Sequence, residues 1–150
     1  MVGIGYDSHR FVAGRKLMLG GVEIDHPQGL EGHSDADVLT HAVIDAILGA
    51  AGGGDIGTLF PPEEEQWRGA DSIDLLRTAI GTIAGRVVNV DATVICEEPK
   101  IGPYKAQMER NLADATSARV SVKATTNEGM GWIGRGEGIA CIAVAQVEDD

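Results

Sequence analysis

An α+β fold, with one mixed sheet and helices packed on one of its faces, is what this 150-residue sequence predicts. Three observations carry that expectation. Alternating apolar runs near the start, the middle and the end read as strands, whereas three stretches between them carry the 3.6-residue stripe of helices. Strands and helices alternate along much of the chain, but hairpin-like neighbours stand at both ends, as an α+β sandwich allows. No G-x-G-x-x-G joins a strand to a helix, so a doubly wound Rossmann sheet is the weaker choice.

In chain order, Val2, Ile4 and Tyr6 alternate with glycines and read as a strand that leaves the core at Asp7. Leu17-Met18-Leu19 and Val22-Glu23-Ile24, split by Gly20-Gly21, read as a second strand with a bulge or turn. Pro27–Gly32 is expected to be loop. Ser34 or Asp35 can cap the helix that follows, whose apolar stripe is Leu39, Ala42, Val43, Ala46, Ile47 and Ala50. Asp37, His41 and Asp45 fall at i, i+4 and i+8 on another line, which sets His41 off the apolar face.

Asp55–Glu65 reads as loop, with the acidic run Glu63-Glu64-Glu65 solvated. Asp71 or Ser72 caps a second helix that buries Ile73, Leu76, Ala79, Ile80 and Ile83. Val87–Glu97 is the clearest strand, Glu98–Pro103 a rigid turn, and Tyr104–Ala115 a third helix. Val120–Ala124 is a strand, Thr125–Arg135 a polar, glycine-rich loop, and Gly136–Val147 a closing strand. One domain, residues 1–150, accounts for the length, since no repeat, linker or boundary interrupts the pattern. The sheet face opposite the helices needs cover, and an oligomer that packs sheets together is the simplest answer.

Composition narrows the function. A formal net charge of -11 argues against nucleic acid, whose phosphates demand a basic footprint. A small polyphosphate ligand stays possible if metal ions, oriented N–H groups and a few of the 12 Lys+Arg concentrate positive potential locally. Cys96 and Cys141 form no C-x-x-C and fit buried packing residues in a reducing compartment. No basic n-region precedes an apolar run at the start, and no apolar stretch is long enough to span a bilayer, so a cytoplasmic protein without membrane contact is expected.

Two polar clusters carry the chemistry. Asp7 and His9, at i and i+2, point the same way if the first strand continues. With His41 they offer two imidazoles and a carboxylate, a donor set that suits zinc and leaves a fourth position open. Scattered surface histidines are the competing reading, and His26, on a loop, is the internal control for it. Asp37 and Asp45 could orient the His41 ring. His33 and Ser34 at a helix start make a phosphate seat, although ordinary capping explains Ser34 equally well. Asp55-Ile56-Gly57 offers a carboxylate to hydroxyls or closes a simple Asx-type turn. The second cluster, Lys123–Glu128 with Gly134-Arg135-Gly136-Glu137-Gly138, brings hydroxyls, a carboxylate and an arginine suited to phosphate oxygens and an oxygen-liking cation.

Read together, these motifs resemble the 2-C-methyl-D-erythritol 2,4-cyclodiphosphate synthase family. The likeness rests on Gly5-Tyr6-Asp7-Ser8-His9-Arg10-Phe11, Gly20-Gly21-Val22, Gly32-His33-Ser34-Asp35-Ala36-Asp37 and Gly54-Asp55-Ile56-Gly57 with Phe60-Pro61. It continues through Glu98-Pro99-Lys100-Ile101-Gly102-Pro103, Lys123-Ala124-Thr125-Thr126 with Glu128, and Gly134–Ala140, and so covers nearly the whole chain. The resemblance implies a homotrimer of ferredoxin-like α+β subunits, with sheets packed around a threefold axis and active sites between neighbours. It also implies a lyase reaction of non-mevalonate isoprenoid synthesis. The 2-phosphate of 4-diphosphocytidyl-2-C-methyl-D-erythritol 2-phosphate attacks the β-phosphorus, CMP leaves, and the cyclic diphosphate forms. A zinc-dependent phosphohydrolase built on the same site, or a non-catalytic trimer that binds isoprenoid diphosphates, are the alternatives.

Carried over residue by residue, Asp7, His9 and His41 match the zinc ligands, and Glu128 matches the residue that holds Mg²⁺ or Mn²⁺ between the α- and β-phosphates. His33 and Thr126 match the transition-state stabilisers. Ser8, Ser34, Asp55, Ile56, Gly57, Phe60 and Glu64 fall among the substrate contacts, the Asp55 segment holding the erythritol. Cys96, Pro99, Lys100, Ile101, Gly102, Ala124 and Thr125 match the cytidine side. Trp132 and Arg135 match residues near the phosphates and an axial cavity, where an isoprenoid diphosphate is expected. Two positions depart from the family: Pro62 stands where aspartate is common, and Gly129 where lysine is often found.

Overall fold

Seven strands and five α-helices make up the computed structural model, which describes residues 1–150. The first strand, β1 (Val2–Ala13), does not stop at Asp7 but runs on through Ser8 and His9. It is held on one side by the last strand, β7 (Gly138–Glu148), in an antiparallel ladder that pairs Asp7 with Cys141 and His9 with Ile139. On its other side its end pairs with β4 (Gln28–Leu30), inside the segment expected to be loop. Of the bulge or turn expected at Gly20-Gly21 the structure has the turn, which makes the segment a small hairpin, β2 (Leu17–Leu19) and β3 (Val22–Ile24), with both glycines at positive φ.

Three helices form where the sequence places them, α1 (Val38–Ala51), α3 (Ser72–Thr82) and α4 (Lys105–Thr116), whereas two single turns, α2 (Ile56–Leu59) and α5 (Gly131–Gly134), form inside segments expected to be loop. Between α3 and α4 runs β5 (Arg86–Ile95), and α4 leads into β6 (Arg119–Thr125). The main sheet has the order β4-β1-β7-β5-β6, antiparallel except for the β5–β6 pair, which α4 joins as a crossover. Leaving β2–β4 and the single-turn helices aside, the chain reads β-α-α-β-α-β-β. A ferredoxin-like subunit would read β-α-β-β-α-β, so that part of the expectation is corrected. The physical reason is the parallel partnership of β5 with β6, which requires a helix between them.

Helices α1, α3 and α4 lie on one face of the sheet, as the sequence suggests. Contact between β1 and α1 is unusually close. A Cβ on Gly3 would stand 2.1 Å from the Ala46 carbonyl oxygen, and one on Gly5 would stand 1.9 Å from that of Ala42. Glycine on the strand and alanine on the helix let main chain meet main chain. Because α1 also packs against β7 and α3, it is buried nearly all round, and His41 lies only 8% exposed although it is off the apolar stripe. The opposite face of the sheet is bare: Val2, Ile4, Tyr6, Ile142 and Val144 are 70, 71, 54, 39 and 40% exposed.

Candidate metal centre and nucleotide groove

Alternation along β1 turns Asp7 and His9 toward α1, on the same side as Gly3 and Gly5. One turn into α1, His41 faces them, and the ligand atoms of Asp7, His9 and His41 all lie within 4.8 Å of one another. Both rings approach one carboxylate oxygen: His41 Nδ1 stands 3.1 Å and His9 Nε2 2.9 Å from Asp7 Oδ2. His9 Nε2 is nonetheless buried without a hydrogen bond. A lone carboxylate oxygen cannot serve two rings well, whereas a divalent cation between them would satisfy all three groups. The donor set therefore fits a metal. Burial raises the Asp7 carboxyl, but the two histidines outweigh it and hold the group below its ordinary range. Burial lowers the His41 imidazole, and Asp7 more than reverses this. His26 does not join the cluster; it stacks on Phe11 with ring centroids 5.1 Å apart.

A cavity of 230 Å³ opens beside the cluster, lined by Asp7, His9, His41, His33, Ser34, Ile56, Gly57, Phe60, Pro62 and Leu75. Of the expected substrate contacts, Ser34, Ile56, Gly57 and Phe60 thus stand beside the metal ligands. Phe60 is held by an edge-on contact with Trp67 at 4.9 Å between ring centroids. Glu64 reaches the site through its backbone, its carbonyl oxygen lying 3.2 Å from His33 Nε2, while its carboxylate accepts hydrogen bonds from Gln66 and Trp67. Pro62 lines the cavity without a charge at that position.

The cap of α1 is Asp37, not Ser34 or Asp35, because positive φ at Ala36 delays the helix. The Asp37 carboxylate accepts from the N–H groups of Gly20, Gly21 and Thr40 and from the Thr40 hydroxyl, so it does not orient His41. Nor does Asp45, which accepts from the Ile56 N–H at 2.7 Å. His33 and Ser34 precede the helix by a full turn, and at its start the Asp37 carboxylate accepts from the Thr40 N–H. Asp55 caps α2 by accepting from the Thr58 N–H at 2.7 Å, the Asx-type role, and lies outside the cavity lining. Ser8 lines a second cavity, of 640 Å³, together with His9, Trp132 and Glu137. There the Arg135 Nε donates to Glu137 at 2.5 Å.

The second cluster gathers at the carboxyl ends of β5 and β6. Cys96, Pro99, Lys100, Ile101, Gly102, Ala124, Thr125 and Thr126 line a 500 Å³ groove. Burial pushes the Cys96 thiol up to about 11, with Glu97 and Glu98 adding to it. Glu128 sits beyond the groove at φ 53, and its N–H donates to the Thr126 hydroxyl at 3.2 Å. Glu97, which the sequence reading passed over, accepts from the N–H groups of Asn127 and Gly129 at 2.7 and 3.1 Å and so grips the chain on both sides of Glu128.

Within one chain the two clusters stay apart. Across the sheet, Asp7 pairs with Cys141, Cys141 with Val94, and Val94 with Ala124. Three strand spacings separate the two ends of that row, about 14 Å.

Against this geometry the relatives can be placed. The YgbB family model matches residues 1–148. A 2-C-methyl-D-erythritol 2,4-cyclodiphosphate synthase of Symbiobacterium thermophilum is 57% identical, covering 98% of each sequence. One from Bordetella petrii is 58% identical over 96% of this chain and 93% of its own length. Among solved structures, the bifunctional IspDF of Campylobacter jejuni superposes with TM-score 0.91 at 41% identity, over 99% of this chain and 42% of that one. A 2C-methyl-D-erythritol-2,4-cyclodiphosphate synthase solved in a form bound to CDP superposes with TM-score 0.87 at 32% identity, over 99% of this chain and all of the other. Fold, motifs and full-length identity agree, and the chain belongs to the YgbB family, that of the 2-C-methyl-D-erythritol 2,4-cyclodiphosphate synthases.

Proposed function

We propose that this protein converts 4-diphosphocytidyl-2-C-methyl-D-erythritol 2-phosphate into 2-C-methyl-D-erythritol 2,4-cyclodiphosphate and CMP. The observation that carries the reading is the convergence of Asp7, His9 and His41 beside a cavity lined by His33 and Ser34, in a chain 57% identical to such a synthase over 98% of its length. In the reaction a 2-phosphate oxygen forms a bond to the β-phosphorus. The bond from that phosphorus to the α,β-bridging oxygen breaks, and the oxygen leaves on CMP. No water enters and no general base is required, because the nucleophile is already an anion. Nucleophile and electrophile belong to one substrate, so catalysis reduces to folding it back and neutralising repelling oxygens.

The residues divide that task. Asp7, His9 and His41 would hold zinc, and Glu128 a Mg²⁺ or Mn²⁺ ion. Bound there, the two ions supply the positive charge that a chain of net charge -11 otherwise lacks. His33, held at its ring by the Glu64 carbonyl, and Thr126 stand as donors toward the transferring phosphoryl group. Ser34, Ile56 and Gly57 line the cavity where the erythritol would lie. The groove from Cys96 to Gly102, with Ala124 and Thr125, takes the cytidine, a role supported by the CDP bound in the structural relative.

A complete site then needs more than one chain. The bare face of Val2, Ile4, Tyr6, Ile142 and Val144 supports a homotrimer with its sheets around the axis, which would let the metal cluster of one copy meet the groove of the next. An isoprenoid diphosphate in the axial cavity would have to compete with Glu137 for Arg135, since that pair already answers the charge within each chain. Both thiols are free and buried, and no helix is long and apolar enough to cross a membrane, which supports a cytoplasmic site of action.

Incubating the purified protein with the diphosphocytidyl substrate, zinc and magnesium tests the reading. CMP with the cyclic diphosphate is the expected result. CMP with open-chain monophosphates would make the protein a phosphohydrolase, and no turnover would leave a binding protein.

A further inference from the structure

The two nitrogens of His41 face different worlds. Nδ1 points to Asp7, 3.1 Å away, in the metal cluster. Nε2 points into the protein, 2.8 Å from the Ser72 hydroxyl and 3.1 Å from that of Ser34. Ser72 is fully buried at the first position of α3, and its hydroxyl is hydrogen-bonded to the Asp35 carboxylate. Asp35 also accepts from the Ser72 N–H at 2.9 Å and from the Asp37 N–H at 3.1 Å, so both its oxygens are fixed.

The hydrogen-bond inventory decides how these groups are polarised. A carboxylate can only accept, so the one hydrogen of Ser72 goes to Asp35. That leaves the Ser72 oxygen as an acceptor, and the proton it accepts must be on His41 Nε2. When a metal takes the place of the Nδ1 proton that faces Asp7, the neutral imidazole that stays protonated at Nε2 offers its lone pair at Nδ1, the form a metal ligand needs. We propose that Ser72, fixed by Asp35, is a positioning residue of the metal centre, which sets the tautomer and orientation of His41 so that Nδ1 is the ligating atom. The proposal rests on the metal reading of Asp7, His9 and His41. It also ties that centre to the neighbouring loop. Asp35 stands next to Ser34, and its N–H donates to Ala70 at 3.1 Å while the Gly69 N–H donates to His33 at 2.9 Å. The start of α3 thus holds a metal ligand and the His33-Ser34 loop in one frame.

Ser72→Ala separates this role from a structural one, because it keeps the backbone N–H that Asp35 holds and removes only the hydroxyl. Zinc affinity of the metal-free protein is measured by competition with a chromophoric chelator for the wild type, Ser72→Ala and Ser72→Thr. Loss of such an outer partner lowers metal affinity about 10- to 100-fold. That loss is expected in Ser72→Ala, with recovery in Ser72→Thr, which restores a hydroxyl. Nitrogen-15 NMR of the zinc-loaded wild type gives a reading that needs no variant to fold: His41 should be metal-bound at Nδ1 and protonated at Nε2. Zinc affinity of Ser72→Ala within twofold of wild type, or His41 bound through Nε2, overturns the proposal and leaves the metal site standing. A wild type that binds no zinc overturns both.

Discussion

Gly5 lies directly beneath Ala42: a Cβ on the strand glycine would sit 1.9 Å from the helix carbonyl oxygen and 2.7 Å from the Ala46 nitrogen. These obstacles are main-chain atoms that cannot rotate away. Overpacking of an ordinary core costs roughly 1–3 kcal/mol, and Gly5→Ala should fall at the upper end or beyond. With a urea dependence of about 1–3 kcal/mol per molar, the unfolding midpoint should drop by about 1 M or more. Zinc affinity should fall as well, since Asp7 lies two residues along the same strand. An unchanged midpoint would contradict the close approach of β1 and α1.

His41→Ala should lose zinc and activity together. Removing several kcal/mol of charge stabilisation corresponds to about a 10³-fold fall in turnover. The fold should survive with a modest loss, because the Ser34 and Ser72 hydroxyls lose a partner worth about 1–3 kcal/mol. Metal analysis, product assay and thermal melting on one sample read all three effects. Full activity in a zinc-free variant would sink the zinc assignment.

Glu128→Gln tests the other ion. Exchanging one charged contact worth about 1.5–3 kcal/mol for a neutral one should raise the Mg²⁺ needed for half-maximal rate roughly 10- to 100-fold. Zinc content should stay at the wild-type level, because Glu128 is not part of the Asp7 cluster. Zinc lost in step with magnesium dependence would contradict the division of labour between the two clusters.

The bare sheet face gives a third kind of test. Ile4→Lys puts a charge at the most exposed apolar position of that face. Light scattering should show wild type at three times the chain mass of 15.7 kDa and the variant shifted toward a single chain, with activity falling in parallel. A variant that stays trimeric and active would remove this face from the interface.

Much of the scaffold was legible because its elements are long. The stripes of α1, α3 and α4 and the alternation of β5 and β7 survive in the structure with end shifts of a few residues. Gln28–Leu30 was not legible: three residues behind a proline carry no period, and only pairing with Phe11–Ala13 makes them a strand. The pairing of Asp7 with His9 could be read from alternation alone. The burial of His41 could not, because α1 is enclosed by sheet and helix and its stripe underestimates what is covered. Ser72 and Asp35 are 37 residues apart, and the contact between them leaves no local signal. The Asp37 carboxylate looked like a partner for His41 at i+4, but backbone donors from the β2–β3 turn claimed it first.

The row that runs from Asp7 to Ala124 has a genetic consequence. In the proposed trimer the two ends of that row serve different sites, so inactivity belongs to a pair of chains rather than to one. A chain carrying His41→Ala still offers an intact Thr126 end, and one carrying Thr126→Ala still offers an intact His41 end. Each homotrimer is dead. Co-expressed in equal amounts, the two chains assemble at random, and about one site in four draws both ends from sound halves. Two null alleles of this gene should therefore complement each other, and a protein whose active site lay within a single chain could not behave that way.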